Sequence, residues 1–460
     1  MRLRALVAIA LCAACGVDPL SVARQSPPVI KTVIVSANTN NVLSAVVSVH
    51  VSDADSVAVR FRPVDAGAGS DGLTPPVAIA GDTALIAVLG LRPSARYEFR
   101  AVAYGSGGVT NSAPTELTTA ALPSDLPTYL ANGTDPSPGF VVFAAGMYGL
   151  VIDNTGRVVW YHRFENGPGL NFITQRTGRF YARPPTPVAN DVEPWVEIDV
   201  LGNVRRTLEC ARGLAARLHD LIVQADNSYW LLCDEMRTLD LSAIGGVVGA
   251  RVTGSAVQHI GADGSLLFHW SPFDHFAITD GDPAEITRPS VNWTHGNALD
   301  FDADSNVIVS FRNLGEITKI NRSTGAVMWR LGGRRNEFEF GGTSMPAFVG
   351  QHSARVVTRG EMLLLDNLGD PTQSRVESYL IDESRKSARL VRSHSSAPTV
   401  VTQIGGSVQA LPRSRVLVTF GTAGRVEEYD DAGRVVWRIM GDAGYVFRAQ
   451  RIRSLYTLAP

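Results

Sequence analysis

Apolar and polar residues alternate along much of this chain with a period of two. The first such runs are Ile30-Lys31-Thr32-Val33-Ile34-Val35, Val46-Val47-Ser48-Val49-His50-Val51 and Val57-Ala58-Val59-Arg60-Phe61. Successive side chains of a strand point to opposite faces, so this period predicts half-buried antiparallel strands. From about residue 130 the chain repeats itself, with no helical period. The unit is a turn, a Gly, an apolar pair and a Trp: Asp153-Asn154-Thr155-Gly156-Arg157-Val158-Val159-Trp160. It returns at residues 322–329, ending in Trp329, and at 431–437, ending in Trp437. Weaker copies stand at Leu201-Gly202-Asn203-Val204, at residues 262–268, and at Ile381-Asp382-Glu383 leading to Leu390-Val391.

Six copies at this spacing predict six sheets of about four strands each. One such sheet cannot bury both faces alone, whereas a ring of them can, and six falls within the usual ~4 to 8 blades of a β-propeller. The expectation is an all-β protein: an N-terminal β-sandwich over residues 29–120, then a six-bladed β-propeller over 128–460. Long loops such as 273–292 belong on the propeller faces. Leu91-Arg92-Pro93-Ser94-Ala95-Arg96-Tyr97 resembles the tyrosine corner of fibronectin type III sandwiches, in which Tyr97 would tie its hydroxyl back to the chain near Leu91. A stretch rich in Pro, Ala and Thr, residues 118–127, ends that domain.

The 460 residues fit two domains, and 45% hydrophobic with 19% charged residues is a globular composition. The 43 Gly suit many tight turns, and a net charge of -2 gives no electrostatic case for nucleic acid. At the N-terminus, Arg2 and Arg4 precede a short apolar run, Ala5 to Ala14, as in a secretory signal occupying residues 1–15. The run is too short to span a bilayer. It ends Leu11-Cys12-Ala13-Ala14-Cys15-Gly16, which resembles a lipoprotein cleavage site with Cys15 as the acylated residue. Cys12 stands where such sites usually carry Leu, so ordinary cleavage is the other reading. Either way the chain is expected to be exported, to the periplasm or cell envelope, and to meet a membrane only through the lipid anchor. Cys210 and Cys233 then either pair in an oxidising compartment or remain two buried thiols.

Three copies of the repeat carry a His before an apolar strand, and the returning strand ends in polar residues. His219-Asp220-Leu221-Ile222-Val223 is followed by Trp230 to Glu235; His295-Gly296-Asn297-Ala298-Leu299 by Val307 to Asn313; His352-Ser353-Ala354-Arg355-Val356 by Met362 to Asn367. Equivalent positions of consecutive blades lie on one ring, so His219, His295 and His352 should converge, with Asn297, Arg312 and Asn367 beside them. Three His can hold zinc, but no carboxylate or Cys shares the repeat position and a nearby guanidinium repels a cation. Arg, Asn and His suit a charged oxyanion such as sulfate or phosphate. The chain has neither a Gly-x-x-x-x-Gly-Lys phosphate loop nor a Cys-x-Pro-x-Arg segment of the sulfatase kind. No metal or other cofactor is therefore expected.

Asn292-Trp293-Thr294-His295-Gly296-Asn297, Ser310-Phe311-Arg312 and Lys319 to Trp329 resemble segments of the bacterial aryl-sulfate sulfotransferases. So do Gln351-His352-Ser353-Ala354, Asp366-Asn367, Ser374 to Asp382 and the closing Tyr445-Val446-Phe447-Arg448-Ala449. The likeness spans roughly residues 130–460. It implies an enzyme that moves a sulfuryl group from a phenolic sulfate ester to a phenol, without a nucleotide sulfate donor. By that resemblance His352 is the nucleophile that becomes a transient sulfohistidine. His219 and His295 assist as proton carriers and sulfate ligands, and Arg312 and Asn297 hold the sulfate oxygens. A surface lipoprotein that binds a sulfated or phenolic ligand without turnover is the competing class.

Overall fold

The computed structural model describes residues 26–65, 71–184, 194–341 and 347–458. Cys15 and the signal segment lie outside the described residues. The chain is all-β. Among the described residues, helix is confined to the single turn Pro283–Ile286 and five 3-10 turns. Two sheets form from the N-terminal region. Val29–Ala37, Ser44–Ser52 and Thr83–Leu89 make one, and Ser56–Pro63 and Arg96–Gly105 are central in the other. The alternation predicts their facing surfaces: Val47, Val49, Val57, Val59, Ile86 and Phe99 form one buried cluster. The Tyr97 hydroxyl accepts from the Arg92 amide at 2.9 Å.

Six further sheets follow, antiparallel except where the short strands Ser290–Asn292 and Glu339–Gly341 add in parallel. Their innermost strands are β1 (Phe172–Thr174), β2 (Ala215–Val223), β3 (Gly296–Phe301), β4 (His352–Thr358), β5 (Ser407–Leu411) and β6 (Ala449–Ile452). The first sheet is built from both ends of this region, because β6 pairs with Phe140–Ala145. Each copy of the sequence repeat is the hairpin between the third and fourth strands of its sheet. All six hairpins carry a register shift before the turn. Five place Gly at positive φ (Gly156, Gly202, Gly264, Gly325 and Gly433), and the sixth places Lys386 there. A Cβ is disfavoured at that φ, which is why the Gly recurs. The Trp of one outer strand then bonds to the hairpin of the next sheet: Trp160 to the Val200 carbonyl, Trp270 to Gly325, and Trp437 back to Asn154.

An innermost strand is an edge, and its free amides need acceptors. Here each strand receives one from its predecessor. The Thr174 amide (β1) donates to Gln450 of β6, Val223 (β2) to Gln175, and Leu299 (β3) to Asp220 of β2. Val356 (β4) donates to Asp300 of β3, Val408 (β5) to Ser353 of β4, and Arg451 (β6) to Gln409 of β5. These six bonds run through all six inner strands and return to the first. They fix the height of each strand relative to its neighbours, and so fix the site at one end. The N-terminal sheets dock on the outside, where Asn41 donates to the Tyr161 carbonyl and the Leu89 amide donates to the Tyr456 hydroxyl.

Candidate functional site

The three sequence-predicted histidines meet, His295 and His352 where β3 and β4 begin and His219 at the slip within β2. The ring of His219 lies 4.9 Å from that of His295 and 6.4 Å from that of His352, centre to centre. Local irregularity turns them inward. The pairing of each strand with its neighbour slips at the histidine: between Ala216 and Leu221, between Gly296 and Ala298, and between His352 and Arg355. His295 and Ser353 take positive φ, 49° and 56°. That conformation is strained for residues with a Cβ and is held here by the surrounding strands. The sequence pattern placed His219 ahead of its strand. In the structure the strand starts at Ala215, and His219 sits within it at the slip.

His352 is fully defined by its partners. Its Nδ1 is 3.0 Å from both the Gly350 carbonyl and Asn367 Oδ1. The Asn367 amide nitrogen donates to the carbonyls of Thr402 and Gly405, which leaves its oxygen to face the ring. Both neighbours of Nδ1 are acceptors, so Nδ1 carries the proton. Nε2 then holds a lone pair, and it is buried without a hydrogen-bond partner. Burial lowers the His352 pKa to about 4, opposed by the hydrogen bond it donates to Asn367 and reinforced by the Arg312 charge. His295 falls to about 2 and His219 well below its ordinary value, again mainly by burial and then by the Arg217 charge. Three neutral imidazoles therefore face one another at neutral pH. Nδ1 of His295 lies 2.6 Å from the Asn292 amide nitrogen, which makes it an acceptor and leaves the proton on Nε2.

Arg312 stands at the rim. Its amide bonds to the His295 carbonyl, and its guanidinium is held by Asn313 Oδ1 and the Gln403 carbonyl, each at 3.0 Å. A guanidinium has five N–H donors, so others remain for an anion. Asn297 reaches the site indirectly, through a 2.6 Å bond to the Gln351 carbonyl immediately before His352. Cys210 and Cys233 form a disulfide that ties the segment leading into β2 to the next strand.

Four contributors were not singled out from the sequence. Phe447 presents its edge to His219 at 5.5 Å, and Arg448 donates to the His219 carbonyl. Asp220, buried, binds Arg355 and Arg448 at 2.7 and 2.9 Å. Burial would raise its carboxyl pKa, but those two charges outweigh that and hold it low. Arg217 pairs with Asp234 beside the ring. Among the described residues no group of His, Cys, Asp or Glu is arranged to hold a metal ion.

Comparison with solved structures gives distant matches. A Bacteroides caccae protein of unknown function has 13% identity and a TM-score of 0.45, with 69% of this chain and 100% of that one covered. A streptogramin B lyase has 11% identity and a TM-score of 0.39, with 69% and 85% covered. The virginiamycin B lyase of Staphylococcus aureus has 10% identity and a TM-score of 0.35, with 66% and 86% covered. No curated protein matches the chain. The family profile described as Arylsulfotransferase (ASST) matches residues 211–442, half of the chain, and this span contains all three histidines and Arg312. The chain belongs to the arylsulfotransferase (ASST) family.

Proposed function

We propose that this protein is an aryl-sulfate sulfotransferase working without a nucleotide sulfate donor, with His352 as its nucleophile. The observation that carries the reading is the protonation state of His352. Its proton is held on Nδ1 by two acceptors, and its Nε2 lone pair is buried without a partner, with the His219 ring 6.4 Å away centre to centre. In the first half-reaction Nε2 attacks the sulfur of an aryl sulfate. The N–S bond forms as the S–O(aryl) bond breaks, and its electron pair leaves on the phenolate oxygen. The positive charge gained by the ring is stabilised through Nδ1–H by Gly350 and Asn367. Arg312, and His295 through Nε2–H, are positioned to hold the sulfuryl oxygens. An anionic ester at the ring favours the protonated form of a neighbouring imidazole, which can then pass its proton to the departing phenolate. The second half-reaction reverses these steps with an incoming phenol.

The six sheets read best as the blades of a β-propeller over 128–460, and the two N-terminal sheets as a fibronectin type III-like sandwich over 29–120. Export to the periplasm or cell envelope, with a lipid on Cys15, completes the proposal. Cys15→Ser should then release membrane-associated protein into the soluble fraction.

The test is incubation with 4-nitrophenyl sulfate and phenol. Nitrophenolate should appear with ping-pong kinetics, and donor alone should add one SO₃ group to the His352 peptide. His352→Asn should abolish both while circular dichroism stays unchanged. Turnover by folded His352→Asn at a comparable rate would sink the mechanism. A protein that only binds such ligands would give no nitrophenolate at all.

A further inference from the structure

A cavity of about 730 Å³ opens at the far ends of β5 and β6. β6 starts at the histidines, where the preceding Arg448 bonds to His219, and runs away from them to Arg451 and Ile452. Four residues at ~3.3 Å each carry it roughly 13 Å from that site. Five arginines line the cavity: Arg176, Arg413, Arg415, Arg451 and Arg453.

Two of them form the floor. Arg415 and Arg451, 8% and 3% exposed, share Glu428 at 3.2 and 2.8 Å, and Arg415 also pairs with Asp135. The other three stand on the exposed rim with no ion pair among the described residues. Two carboxylates therefore face five guanidiniums. Arg413 and Ser414 occupy a tight turn at φ 62° and 56°, positions where Gly or Asn would be the unstrained choice. Pro136, Pro138 and Leu411 give the wall an apolar part. A pocket of this volume, buried at its floor and open at its rim, suits a small molecule.

We infer that this cavity is a second anion site, for a compact molecule bearing two or more phosphate or sulfate monoester groups. Guanidinium forks match tetrahedral oxyanions bidentately, and the apolar wall takes the scaffold between them. The inference does not depend on the sulfotransferase reading. The ester groups belong either to a free solute or to a lipid headgroup.

Calorimetric titration of the full chain with inorganic pyrophosphate tests it. Pyrophosphate should bind at one site. Arg413→Glu with Arg453→Glu should weaken it by about tenfold per guanidinium removed, and His352→Asn should leave it unchanged. Both rim positions are exposed, so the fold should be kept; Arg413→Gln with Arg453→Gln should give a smaller loss. Sedimentation of Cys15→Ser protein with vesicles containing phosphatidylinositol 4,5-bisphosphate, whose headgroup carries two phosphate monoesters, abolished by the rim substitutions, would assign the groups to a lipid. Pyrophosphate binding without sedimentation would assign them to a free solute. Absence of binding at millimolar pyrophosphate, or binding that survives the rim substitutions and is lost in His352→Asn, overturns the inference.

Discussion

Asn367 Oδ1 accepts the Nδ1 proton of His352 at 3.0 Å, and the Asn367 amide group is itself locked by the carbonyls of Thr402 and Gly405. The orientation of the proposed nucleophile is thus set by a residue 15 positions later on the returning strand. Asn367→Ala removes one of the two acceptors and leaves two buried carbonyls unpaired. Turnover of 4-nitrophenyl sulfate should fall about 10²-fold with little change in KM. Chemical denaturation should show a loss of about 1–3 kcal/mol for each orphaned carbonyl. Unchanged turnover in a destabilised protein would reduce Asn367 to a structural role.

His295 offers a test of proton delivery. 4-Nitrophenolate is a good leaving group and needs little protonation, whereas phenolate needs it. His295→Asn should therefore slow phenyl sulfate more than 4-nitrophenyl sulfate, by a further factor of about 10 or more. Equal slowing of both donors would assign His295 to sulfate binding alone.

The histidine pKa values set two pH profiles. His352 must be neutral to attack, and its pKa is lowered to about 4. The kcat/KM for 4-nitrophenyl sulfate should be flat from pH 7 to 5 and fall only near pH 4. Folding stability behaves differently. The unfolded chain has ordinary imidazoles near 6.5 and takes up protons as the pH drops below that value. The folded protein does not, because His219, His295 and His352 are all depressed by burial. Stability is therefore full above about pH 6.5 and declines toward pH 4, as urea titrations at a series of pH values should show. Activity and stability should separate in that window.

Asp220 joins four strands: its own β2, β3 through the Leu299 amide, β4 through Arg355, and the start of β6 through Arg448. Asp220→Asn leaves the buried Arg448 without its counter-ion and Arg355 with Asp300 alone. A loss of about 3–5 kcal/mol by chemical denaturation is expected, with nitrophenolate release falling as the ring loosens. Wild-type stability in Asp220→Asn would mean that the network is not what aligns the strands.

The repeat was legible because five of the six hairpins demand the same local chemistry: a Gly at positive φ after a polar turn, then an apolar strand. The histidines were legible for a related reason, since equal places in a repeat become neighbours in space. The contacts that finish the site were not. Asp220 and Arg448 are 228 residues apart, and nothing near either one signals the other. The family resemblance gives Asn297 a sulfate-binding role; its amide nitrogen is directed at the Gln351 carbonyl, and its Oδ1 is buried without a partner. A side chain's repeat position gives its height in the ring but not which neighbour it will face.

β6 follows every other strand of the six sheets, yet it is the innermost strand of the first sheet and follows directly on Arg448. During synthesis or export, every earlier sheet can be present while the first still lacks its inner strand and His219 still lacks its arginine. The proposed centre is then complete only after Arg448 and β6, which follow every other strand of the six sheets, have been added. A chain cut before Arg448 would be mostly folded β-structure with an unclasped ring and no working centre.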